Sequence, residues 1–195
     1  MVAKIIKTVS RSRKPQLELL QNQPKAYGGE LLKKRKNRLS GRPLDTKNSM
    51  HLVLRSSRAT GKWSFREQKN EDKVKEIVAR FSRKFGVQVL RMGNAGNHLH
   101  MQIKLGNRFT YRPFIRALTS AIAMAVTGAS RWNPLKGGRF WDYRPFTRVV
   151  IGFKALLSLQ DYIDMNTLEG HGCDRQLAKL FILDRKNWVG KGNTS

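Results

Sequence analysis

The sequence predicts an α+β fold, a split βαβ sandwich built on an antiparallel sheet. Two observations carry that expectation. Short runs rich in β-formers alternate with longer segments whose apolar residues recur at helical spacing. They follow one another as strand, helix, strand, strand, helix, strand, the order of that sandwich. With 195 residues, 39% of them hydrophobic, the chain can fill one good-sized core and carry a tail or two.

The patterned region opens at Ser49, and Met50 to Arg55 reads as a strand. From Glu71 to Phe85 the residues Val74, Ile77, Val78, Phe81 and Phe85 recur at helical intervals, and Gly86 ends the run. Val87 to Met92 is a second strand, followed by the turn Gly93-Asn94-Ala95-Gly96. His98 to Leu105 alternates as a third strand that pairs back on the second, with Leu99 directed into the core. A long helix is expected from Tyr111 to Thr127, apolar on Phe114, Leu118, Ile122 and Ala125. Trp132 to Gly138 is loop, and Arg139 to Val150 supplies a fourth strand that Pro145 confines to an edge or a bulge. Leu156 to Asn166 reads as a helix with Leu156, Leu159 and Ile163 on its apolar side, and a last helix is expected from Asp174 to Leu183. The layout is ferredoxin-like with an additional C-terminal helix. Three segments follow: a basic N-terminal extension (1–47), a folded domain (48–170), and a C-terminal helix and tail (171–195).

Charge narrows the function. There are 39 Lys+Arg against 13 Asp+Glu, a formal net charge of +26. A surface that basic repels itself and suits a polyanion, nucleic acid above all. The cationic residues run along the whole chain rather than along one amphipathic helix, which disfavours a membrane-surface role. No apolar run reaches the roughly 18 residues of a membrane-spanning helix. The N-terminus lacks a secretory pattern, and the lone Cys173 excludes disulfides and cysteine metal clusters, so a cytoplasmic location is expected. The run Lys33-Lys34-Arg35-Lys36 reads as a solvated arm able to grip a nucleic-acid backbone.

Two pairs of residues carry chemistry. His98 and His100, two of only four histidines, fall two apart on a predicted strand, so both imidazoles share a face and can share one cation. Tyr162 and Asn166 fall four apart on a predicted helix, so the phenol and the amide project together. The amide oxygen can complete a metal shell, and the phenol can reach a phosphate held there. Each pair alone also fits a bland reading, two surface histidines or a tyrosine packing on an amphipathic helix. Tyr111 and Tyr143 lack an amide four residues on, and rank behind Tyr162. His51 starts a strand and is expected to face solvent, while His171 sits in a glycine-rich turn. Arg139, Arg144 and Arg148 alternate loosely as phosphate contacts, with Phe140 and Trp141 as aromatic surfaces for base stacking.

Gly96-Asn97-His98-Leu99-His100 resembles the Asn-His-hydrophobic-His strand of the small single-tyrosine transposases of the HUH nuclease superfamily. Asp161 to Asn166 resembles their Tyr-Ile-x-x-Asn helix, and Gly138-Arg139-Phe140-Trp141 the Arg-Phe-Trp element of the REP-associated tyrosine transposases. The matches come in the family's order across roughly residues 49 to 170. Family members usually carry Pro where this chain has Gly96, and Pro where it has Thr167.

The resemblance implies a ferredoxin-like fold and a nucleophilic Tyr162 on a catalytic helix. It further implies a divalent cation, Mg or Mn, on His98, His100 and Asn166, and single-stranded or hairpin DNA as substrate. It implies cleavage through a 5′-phosphotyrosine with release of a 3′-hydroxyl. Relatives include monomers and dimers that exchange catalytic helices, so a homodimer stays open. The main alternative is a non-catalytic nucleic-acid binder, such as a domesticated or decayed transposase. A ferredoxin-like RNA-binding module would carry aromatics on its central strands, and these have none. A two-histidine phosphoesterase would need a second copy of its motif, and there is only one His-x-His.

Overall fold

The computed structural model of the chain describes residues 43–191. The run Lys33-Lys34-Arg35-Lys36 and nearly all of the 1–47 extension lie outside the described residues. The elements are β1 (Met50–Arg55), α1 (Gln68–Phe85), β2 (Val87–Asn94), β3 (His98–Leu105), α2 (Tyr111–Thr127), β4 (Phe146–Val149), α3 (Phe153–Gly170) and α4 (Arg175–Lys191). Strands run in the order β2-β3-β1-β4, each pair antiparallel. The fourth strand lies at an edge, where the preceding proline is tolerated. No described helix is long and apolar enough to cross a membrane.

The two-residue period of a strand divides the sheet into two faces. Met50, Leu52 and Leu54 of β1 align with Ile103, Met101 and Leu99 of β3, and all six are buried. Val74, Ile77 and Val78 of α1, with Phe114, Leu118, Ile122 and Val126 of α2, complete this core. The alternate positions, His51, Val53 and Arg55 on β1 and His98, His100 and Gln102 on β3, point the other way. On that face lies α3, around a smaller cluster of Val150, Leu159 and Ile163. Helices on both faces are why the histidine side of the sheet is not open to water.

Several expected boundaries move. The α1 helix starts at Gln68, before the apolar period begins, because its first turn is polar and held by Gln68 bonding to Asp72. The β2 strand runs on through Gly93 and Asn94, which pair with His100 and Leu99, so the turn shrinks to residues 95–97. The strand expected over 139–150 is reduced to Phe146–Val149. Phe140 turns into the core instead, its carbonyl accepting a 2.5 Å hydrogen bond from Ser56 Oγ. The last two helices are longer than the apolar pattern alone marks, 153–170 and 175–191.

Candidate functional site

The site is built where α3 crosses the polar face of β3 and β1. His98 and His100 fall on that face because Leu99 and Met101, fully buried, take the other. His100 is buried and His98 half-buried. Tyr162 meets them from α3, its ring 5.2 Å from His100 and edge-on, and it remains 47% exposed. One turn on, Asn166 Nδ2 donates to the Tyr162 carbonyl at 2.7 Å. The amide carbonyl is thereby the end left to the imidazoles, where it favours the protonated forms of His98 and His100. All four expected residues converge, and all come from one chain.

His51 was expected at the surface, and the structure corrects this. It is 8% exposed, because α3 covers it. Its Nε2 lies 3.0 Å from His100 Nδ1, and the two rings stack at 5.2 Å. Tyr162 packs edge-on against it too, at 5.8 Å. The alternation of Met50, Leu52 and Leu54 is the signal that could have found it, since it puts His51 and Arg55 on the histidine face.

Burial sets the protonation of the cluster. It pushes the His51 imidazole down to about 4, with the Arg148 charge acting the same way. It pushes His100 down to about 3, helped by His51 and His98 and opposed by Asn166. His98 is lowered by burial and by Arg55. Neutral imidazoles keep a lone pair for a cation. His100 Nε2 is sealed from solvent and has no hydrogen-bond partner among the described residues. Such an orphan is disfavoured by about 1–3 kcal/mol unless something satisfies it. A divalent cation there would do so, with imidazole nitrogens and an amide oxygen as its donors. Among the described residues no three or more of His, Cys, Asp and Glu are arranged to hold a metal, so the set depends on Asn166.

Two glycines bring α3 close. A Cβ on Gly93 would stand 2.7 Å from the Ile163 carbonyl, and one on Gly170 would overlap the Asn94 carbonyl. Arg91 of β2 adds an ion pair to Asp164 at 3.0 Å. Gly96 holds φ +87° and donates its N–H to Asn94 Oδ1 at 3.0 Å. Proline can do neither, which accounts for glycine at this position.

The other expected contacts divide. Phe140, only 4% exposed, lies edge-on to Phe65, so its ring is not available to a base. Trp141 stacks on Phe65 at 5.8 Å and donates Nε1–H to the Thr119 carbonyl at 2.9 Å. Phe140 is a core residue, and Trp141 is half-buried against the core with its Nε1–H already used. Tyr111 is buried as well. Arg139 is exposed in irregular chain, and Arg148 is exposed on β4 opposite His51. Arg144 lines a cleft of about 420 Å³ with Arg112, Arg116, Pro113 and Pro145. Tyr143 and His171 are exposed, His171 at the end of α3.

A family model described as transposase, IS200-like, matches residues 46–166. Among curated proteins none matches. Among solved structures, the chain is similar to a REP-associated tyrosine transposase bound to a REP hairpin, at TM-score 0.50 and 15% identity over 70% of this chain and 75% of that one. It also aligns with a candidate transposase of Deinococcus radiodurans R1, at TM-score 0.39 and 18% identity over 65% of this chain and 96% of that one. At 15% identity the likeness to the first of these speaks to the fold alone.

Proposed function

This chain belongs to the IS200-like transposase family, and from that premise we propose that it cleaves and rejoins single-stranded DNA with Tyr162 as nucleophile. One observation carries the reading: β3 and α3 bring His98, His100, Tyr162 and Asn166 together within one chain. The neighbour's REP hairpin suggests hairpin DNA as the substrate class. A cytoplasmic setting, where DNA is at hand, fits the reading.

His98, His100 and the Asn166 carbonyl would hold a divalent cation, Mg or Mn. Bound there, it would polarise the scissile phosphate and offset charge in the transition state. The remaining work falls to the chain itself. Tyr162 is exposed enough to meet a phosphodiester, and its ring is steadied by two imidazole edges. Its oxygen attacks phosphorus, the bond to the 3′-oxygen breaks, and that oxygen takes up a proton as the phenol gives one up. The products are a 5′-phosphotyrosine and a free 3′-hydroxyl, and the retained bond energy allows rejoining by the reverse attack. Arg55 and Arg148 add positive charge beside the histidines, which favours an anionic phosphate there. Arg139 and Arg144, and the lysines and arginine at 33–36, are proposed backbone contacts.

The test is incubation with a pool of single-stranded DNA hairpins and Mn, followed by denaturing electrophoresis. A covalent protein–DNA band is expected from the wild type and absent from Tyr162→Phe, which still binds DNA. A band that persists in Tyr162→Phe places the nucleophile elsewhere. Tight binding with no band in either, across a pool containing the cognate hairpin, would favour the non-catalytic binder.

A further inference from the structure

Resting on the metal-site reading and extending it, we propose that His51 is a positioning residue: it fixes the tautomer of His100 and so aims the Nε2 lone pair of that ring at the cation. It does this from β1, a strand that supplies none of the proposed ligands.

A neutral imidazole has one N–H and one lone pair. His51 Nε2 and His100 Nδ1 stand 3.0 Å apart, so one proton lies between them. Suppose it belongs to His51. His100 must then carry its own proton on Nε2, an atom sealed from solvent and without a hydrogen-bond partner among the described residues. That arrangement turns an N–H toward the site and removes the lone pair a metal needs. With the proton on His100 Nδ1, donated to His51 Nε2, the Nε2 lone pair faces the site. Imidazole ligands generally donate their second nitrogen to such a partner, which fixes the ring's orientation. His51 is held to the task by its surroundings. It stacks on His100, meets Phe146 edge-on at 6.2 Å and Tyr162 at 5.8 Å, and is almost wholly buried. The hydrogen bond also ties β1 to β3 directly beneath the nucleophile.

The experiment is a titration of the full chain, without DNA, with Mn²⁺, reading free ion by electron paramagnetic resonance. His51→Phe keeps a ring in the packing but offers no acceptor, whereas His51→Gln keeps an acceptor oxygen. Mn²⁺ affinity should fall by about 10–100-fold in His51→Phe, with His51→Gln lying closer to the wild type. Equal affinity in wild type and His51→Phe overturns the proposal. His100→Ala separates the two ideas. If it binds Mn²⁺ as the wild type does, the metal-site reading itself fails. If it loses binding while His51→Phe does not, only the positioning role fails. A second measurement needs no variant. In the Mg²⁺-loaded wild type, ¹⁵N NMR should show the His100 proton on Nδ1, and a proton on Nε2 overturns the assignment.

Discussion

The imidazole cluster makes stability depend on acidity as well as making a site. His51 and His100 sit at about 4 and about 3 in the folded chain, against an ordinary value near 6.5. Between pH 6.5 and those values the unfolded chain takes up protons that the folded chain refuses. The stability from the neutral pair is therefore whole above pH 6.5 and is lost as pH falls through that window. Thermal melts of the metal-free protein at pH 7 and pH 4.5 should show a drop in Tm, and His51→Phe should show a smaller one. An equal drop in both would mean other groups dominate. Strand and helix periods put His98 with His100, and Tyr162 with Asn166, each pair on one face, but it took the family resemblance to join the two pairs into one candidate site. The His51–His100 bond was not legible in the sequence, since nothing local tells residue 51 that α3 will cover it.

At the scale of elements, α3 is seated rather than merely packed. Alanine in place of a helical glycine ordinarily stabilises by about 1 kcal/mol. At Gly170 the sign should reverse, because the new methyl would overlap the Asn94 carbonyl. Gly170→Ala is expected to lose about 1–3 kcal/mol, seen as a lower Tm, and to lower adduct yield by displacing Tyr162. A raised Tm would show that the close approach is not needed. Sequence periodicity found the four strands and four α-helices of the described residues, and placed α2 at its observed bounds. It took Gly93 for a turn, since a glycine read alone signals a bend and not a surface against which another helix rests. It drew the fourth strand too long for a related reason. Phe140 and Trp141 are good strand formers, and only tertiary packing sends them inward to Phe65.

The molecule as a whole is a cationic body with one polar face folded under a helix. The net charge of +26 announced a polyanion, but not where it would lie. Arg112 and Arg116, one turn apart on α2, meet Arg144 across the cleft only because distant segments converge. For single-stranded DNA, log affinity falls with log salt by about 0.7 per phosphate neutralised. Replacing Arg112 and Arg116 with alanine should therefore flatten that slope by roughly 1.4 units, measured by fluorescence anisotropy across a salt series. An unchanged slope would remove the cleft from the DNA path.

The two glycine seats have one more consequence. Gly93 receives α3 at Ile163 and Asn94 receives it at Gly170, about 10 Å further along its axis. A rod pinned at two heights can neither slide nor roll, and a slip of one residue would swing Tyr162 by about 100°. With roll forbidden, the phenol has only its own torsions to move by. In-line displacement needs the departing oxygen opposite the incoming one, so under the proposed chemistry a fixed phenol beside fixed ligands leaves one place for the departing oxygen. Where the proposed cut falls on a bound strand is then set by two missing methyl groups as much as by the reacting atoms.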